Sequence, residues 1–259
     1  MINDSQKWKN RLDFLTLVSW LFISFVFALT SWMWYGVDFR GYYAAATVFV
    51  NGGNPYDYHQ VAQVLLSVTG SMGNNPYFYS PWFLWLFVPI VRFPFQTARA
   101  IWMVFNLAAW CFSLWKFSEL LNWPQKGWRR YLVFIFSTFT FALITLFFEQ
   151  ASILVFALLV ALIYSIRDQK WGRTGLLLSL LLIKPNITFV VVAAICLWLI
   201  LNGHWKPIKV LTITFFILLT ISTFLTPNWY KPFFEPGFSQ GLSIAMDGFN
   251  STGQLRINT

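Results

Sequence analysis

Six residues have types and positions that could do chemistry together: Asp38, Arg40, Tyr77, Tyr79, Gln150 and Lys184. Asp38 stands in YGVDFRGYYAAA (35–46), directly after a long apolar run, in a chain with only nine acidic residues. Two readings stay open for it. Asp is favoured just ahead of a helix, and an amphipathic helix begins at Phe39, so Asp38 can be its N-cap. A carboxylate beside aromatic surface is also partly desolvated, which lifts its pKa toward the range of a general base. The two roles are compatible.

Lys184 interrupts GLLLSLLLIKPNITFVVVAA (175–194). An ionisable group inside an apolar run is costly in a bilayer and marks a site, with a phosphate or carboxylate as its natural partner. The plainer reading is a lysine snorkelling to an interface. Pro185 has no amide hydrogen, so the carbonyl at position 181 loses its helical partner, as in discontinuous helices around polar sites. Glu149-Gln150 breaks the run between 131–148 and 151–166 and reads first as the loop of a helical hairpin. Tyr77, Tyr79 and Pro81, in NNPYFYSPW, can line a sugar site or anchor an interface. Arg40 can pair with a phosphate or be a solvated helix-face charge. Other chemistries lack their parts. With two histidines there is no His-rich metal site, and there is no P-loop, dinucleotide fingerprint or Gly-x-Ser-x-Gly elbow.

The elements that must position these residues are helices in a membrane. Of 259 residues, 58% are hydrophobic and 10% charged, against about 25% charged in soluble domains. The apolar runs are too long and too uniform for barrel strands. The net charge of +9 lies mostly in Lys and Arg at the ends of apolar runs. That placement marks cytoplasmic loops rather than a nucleic-acid surface. Cys111 and Cys196 lie in apolar segments and read as small hydrophobes.

The basic N-terminus precedes an uncleaved first helix over 12–35, with the N-terminus in the cytoplasm. In the loop 36–80, Phe39, Tyr42, Tyr43, Ala46 and Phe49/Val50 recur at helical spacing until Gly52-Gly53. NPYDY (54–58) is a turn, and Val61, Val64, Leu65 and Val68 form a second stripe. Both pieces are expected to lie flat at the interface, with Trp32, Trp34, Tyr35, Tyr42 and Tyr43 at headgroup depth. Further apolar segments are 81–91, 100–117, 131–148, 151–166, 174–201 and 209–225. The clusters Arg92/Arg99, Lys126/Arg129/Arg130, Arg167/Lys170/Arg173 and Lys206/Lys209 all look cytoplasmic, which simple alternation forbids. Either 81–117 is one net crossing and 174–201 a hairpin around Lys184-Pro185, or each segment crosses and the positive-inside bias is broken twice. Both solutions put loop 36–80 and the tail after 226 on the extracytoplasmic face.

Several patterns then line up in order: VDFRGYYAAATVFVNGGNPYDY, NPYFYSPWFLWLFVPI, IWMVFNLAAW, FFEQASILVFALLVAL, GLLLSLLLIKPNITFVVV and the basic loop NGHWKPIK. Over residues 12–226 this set resembles the polyprenyl-phosphate-sugar-dependent glycosyltransferases of family 87. The resemblance implies the GT-C membrane fold: an all-α polytopic bundle of about seven transmembrane helices, with a large extracytoplasmic first loop. It implies transfer of a sugar, often mannose, from a polyprenyl-phosphate donor to an extracytoplasmic lipid or glycan acceptor, with no cofactor. The first-loop aspartate that acts as base in the family matches Asp38, and the family's Lys-Pro matches Lys184-Pro185. Its Gly-Gln pair stands here as Glu149-Gln150, without the glycine. Family members continue with more transmembrane segments. The transmembrane domain is therefore expected over 1–226, and 227–259 as an incomplete extracytoplasmic tail of a truncated or split member. Read without the resemblance, the chain can also be a non-catalytic carrier-binding or transport protein. A transporter should carry paired interrupted helices in two related halves, and only 174–201 is clearly interrupted.

Overall fold

In the computed structural model, residues 37–70, 77–123, 145–227 and 229–231 are described. Among them the elements are helical: α1 (Val37–Val50), α2 (Tyr58–Thr69), α3 (Pro81–Leu84), a 3-10 turn (Ile90–Arg92), α4 (Phe95–Leu120), α5 (Ser152–Arg167), α6 (Trp171–Leu181), α7 (Pro185–Leu201) and α8 (Trp205–Leu225). The expected first helix and most of segment 131–148 and of the tail lie outside the described residues.

α1 ends where expected, at Asn51-Gly52, with Gly52 at φ 79°. The NPYDY turn starts α2 by local chemistry. The Asp57 carboxylate accepts from the amides of His59 and Gln60, and the Gln60 side chain donates back to it at 2.9 Å. Gly70, left-handed at φ 70°, closes α2 by donating its amide to Leu66 O.

α1 does not lie flat at an interface. Phe39, Tyr42, Tyr43, Ala44, Ala45 and Ala46 are all buried. Their rings pack on Phe83, Phe87, Phe95 and Trp102, with Tyr42–Phe87 centroids 5.1 Å apart. The apolar stripe faces protein because residues 81–95 fold over it. Segment 81–91 is accordingly one helical turn followed by tight turns.

α4 and α8 are long and apolar enough to cross a membrane, and α5 and α7 are shorter apolar helices. Phe189, Val190, Leu201 and Phe224 are 64–82% exposed along α7 and α8. An apolar outer face of this kind marks contact with membrane or partner.

Segment 171–204 folds back on itself. Trp171, which opens α6, stacks on His204, which follows α7, with centroids 4.0 Å apart. Gly175 meets the backbone of Pro207 and the side chain of Val210 on α8, so closely that any Cβ there would overlap them. Lys184 is therefore at the tip of a hairpin, the first of the two arrangements open to the sequence. The tip has matched partners for its freed carbonyls. Leu181 O accepts from Thr188 Oγ1, Leu182 O from Ser80 Oγ, and Ile183 O from the Ser80 amide at 3.2 Å.

The bundle thus has two distinct ends. Asp38, Tyr79, Ser80, Arg99, Glu149 and Lys184 gather at one. Trp229 packs on Tyr56 of the first loop, 6.1 Å between centroids. At the other end, Tyr164 reaches the carbonyl of Lys116, and Trp171 meets His204. Arg167, Lys170, Arg173, Lys206 and Lys209 belong to this second end. Arg99 does not: it is buried beside Glu149, not a loop charge of the basic kind.

Candidate active site

α1 carries Asp38 in its first turn, not ahead of it, so the N-cap expectation is corrected. Its amide donates to the carbonyl of Phe148 at 3.2 Å, which ties the helix start to the turn before α5. The carboxylate still complements the helix dipole from the first turn.

The Asp38 side chain faces two tyrosines. Tyr42 and Tyr79 hydroxyls each lie 3.5 Å from Oδ2, and they are 2.8 Å from each other. Each hydroxyl has one proton, so the self-consistent order is a chain. The Ala151 amide donates to Tyr42 (3.2 Å), Tyr42 to Tyr79, and Tyr79 to Asp38. The last link is long, so the carboxylate keeps capacity to accept another proton. Burial pushes the Asp38 carboxyl above the ordinary carboxylate range, opposed by the charge of Lys184 and by the tyrosine hydroxyls. A base is made stronger in this way.

Lys184 enters from the hairpin tip. Its Nζ donates to Ser152 Oγ at 3.0 Å and lies 5.5 Å from the centre of the Tyr79 ring. Ser152 also contacts Gln150, Oγ to Oε1 at 3.3 Å. Asp38, Tyr79, Gln150 and Lys184 are thus brought to one place. Arg40 is close enough for its charge to act on Glu149. Tyr77 is buried, with its hydroxyl donating to Ser80 O at 3.2 Å and its ring against Tyr56 and Tyr79. In this arrangement it supports the loop that carries Tyr79 and Ser80.

Glu149 is more than a hairpin loop residue. It is fully buried, and its Oε1 accepts from Arg99 Nε at 2.6 Å. Its carbonyl accepts from Trp102 Nε1 at 2.9 Å. Its backbone is left-handed at φ 58°, a state costing a non-glycine residue roughly 1–2 kcal/mol. The turn that a glycine would make freely is made here by a glutamate held from the side. Burial raises its carboxyl to about 7, against the pull of Arg99 and Arg40. Sequence reasoning missed Arg99 and Glu149 as site residues. The missed signal was a Glu and an Arg, each beside an apolar helix, with opposite charge.

The cleft of ≈ 320 Å³ over Val48, Asn51, Gly53, Gln60 and Ser67 is at the far end of α1 and has no charged lining residue. It lies about 15 Å along that helix from Asp38 and lacks a cation for a phosphate.

A carboxylate of raised basicity and an ammonium, flanked by aromatic hydroxyls at one end of an apolar helical bundle, suit group transfer from an anionic leaving group. The sequence model of glycosyltransferase family 87 matches residues 77–256, and the chain belongs to that family. Its class is therefore that of the glycosyltransferases. Neither a curated protein nor a solved structure matches the chain.

Proposed function

We propose that the chain transfers a sugar, mannose in the first instance, from a polyprenyl-phosphate carrier to an extracytoplasmic lipid or glycan hydroxyl. The observation that carries this is the meeting of Asp38 and Lys184 across Tyr79, in a chain of family 87. Asp38 takes the proton of the acceptor hydroxyl. The acceptor oxygen bonds to the anomeric carbon as the bond from that carbon to the phosphate oxygen breaks. The lipid phosphate leaves with the electron pair, facing Lys184, with Arg40 as a second cation. A positioned base is worth about 10²–10⁴-fold, and a fixed cation beside the departing phosphate adds an electrostatic contribution. Tyr79 and Gln150 flank the sugar.

The protein is multi-pass in this reading, with its Asp38 end outside the cytoplasm. The two-ended distribution of charge supports it. Arg167, Lys170, Arg173, Lys206 and Lys209 share the end opposite Asp38, as positive loops on the cytoplasmic side do. With Arg99 counted as a buried ion-pair partner, the conflict among basic clusters shrinks to Arg92.

Membranes carrying the full chain, supplied with radiolabelled polyprenyl-phosphate mannose and acceptor lipid, test the reading. Acceptor-dependent transfer that Asp38→Asn abolishes supports it. Carrier binding without turnover would make the chain a binding protein.

A further inference from the structure

The start of α1 is tied down by residues 148–151. The carbonyl of Phe148 accepts the Asp38 amide at 3.2 Å. The amide of Ala151 donates to Tyr42, which heads the hydroxyl chain to Asp38. Between these two handles stands Glu149, left-handed and fully buried. Two residues of α4 grip it: Arg99 holds the side chain and Trp102 holds the carbonyl.

We propose that Glu149 is a positioning residue for the base, and that its ion pair with Arg99 sets the turn that aims Asp38. This rests on the reading of Asp38 as the base. α4 is the rigid part, a helix of 26 residues, and the base is attached to it through Glu149 as well as through the α1 rings that pack on Phe95 and Trp102. The cost of a buried carboxylate in a strained backbone is explained by what it holds. Its other oxygen, Oε2, is buried without a hydrogen-bond partner, so Arg99 is its main restraint among the described residues.

The arrangement also couples charge to the base. Asp38 faces Lys184 from the hairpin tip and Tyr79 from the first loop, while Glu149 faces Arg99 from α4, and Arg40 and Asp38 from α1. Below about pH 7 the Glu149 carboxyl takes up a proton and its charge on Arg99 is lost; a glutamine at position 149 has no such step, so its rate profile lacks that part of the acidic limb.

The test uses the full chain in nanodiscs, with kcat and KM for the polyprenyl-phosphate sugar measured across pH in wild type, Asp38→Asn, Glu149→Gln and Glu149→Gly. Glu149→Gly suits the left-handed backbone but drops the Arg99 grip. It should lower kcat by about 10- to 100-fold, as small misplacements do, with the donor KM within a factor of about two. Glu149→Gln keeps a hydrogen-bonding side chain and should move the acidic limb of the rate profile to lower pH. Wild-type kcat and an unmoved acidic limb in both variants, with Asp38→Asn inactive, overturn the positioning role. Wild-type transfer by Asp38→Asn overturns the base assignment, and the positioning role with it. If Glu149→Gly fails to accumulate, the acidic limb of Glu149→Gln decides.

Discussion

The hydroxyl of Thr188 donates to the carbonyl of Leu181 at 2.7 Å, the carbonyl that Pro185 cannot serve. A break in an apolar helix is thereby closed by the next turn's own side chain. The break is stable enough to carry a charged residue at its tip.

Thr188→Val keeps the shape and removes that donor. Leu181 O is then left buried and unpaired, at a cost of about 1–3 kcal/mol. Thermal unfolding in detergent should show the loss. An unchanged midpoint would mean that another group takes the carbonyl.

Asp38→Asn should reduce transfer by about 10²–10⁴-fold while raising stability at neutral pH. The sign follows from the raised carboxyl. The folded chain binds this proton more readily than the unfolded one. The resulting stability is full below the unfolded pKa and lost as pH rises through the folded value. The carboxamide has no such loss, so the variant's advantage should appear only on the alkaline side of that window.

Lys184→Met should weaken the donor and shift the pH profile the opposite way from Glu149→Gln. Lys184 draws the Asp38 carboxyl down, so its removal moves the acidic limb to higher pH. A rise in donor KM together with that shift is the expected pair of readouts from steady-state kinetics. Lys184→Arg should restore the limb more fully than the KM, since Arg keeps the charge but not the short reach to Ser152.

Gly175→Val should unlock α6 from α8. The new side chain runs into the backbone carbonyl of Pro207, which cannot rotate away. Overpacking of this kind costs about 1–3 kcal/mol, read as a lower unfolding midpoint.

The sequence made some of this legible because the chemistry was local. Pro185 has no amide, so the orphaned carbonyl at 181 could be named in advance, and the Gly52 stop and the Tyr58–Thr69 helix follow from turn residues and periodicity. The meeting of Asp38 with Lys184 came from the ordered resemblance, since no local rule joins positions so far apart. The placement of α1 failed for a different reason. An apolar stripe reports that water is excluded, not whether lipid or protein excludes it. Arg99 and Glu149 were invisible as a pair because they are fifty residues apart. Positive-inside reasoning had already given Arg99 another role. The N-cap reading of Asp38 failed because α1 starts at Val37, ahead of it.

Ser80 touches Leu182 and Ile183 across roughly a hundred positions of chain. The first loop must therefore emerge and wait while about a hundred further residues are made. At the usual 5–20 residues per second, that is roughly 5–20 s of synthesis. Until then the aromatic rings around Tyr79 have no hairpin tip to rest on. Assembly of the site is thus a late event in the birth of the protein, and a ribosome stalled before position 183 would leave a chain that has Asp38 but neither the hairpin tip nor Lys184.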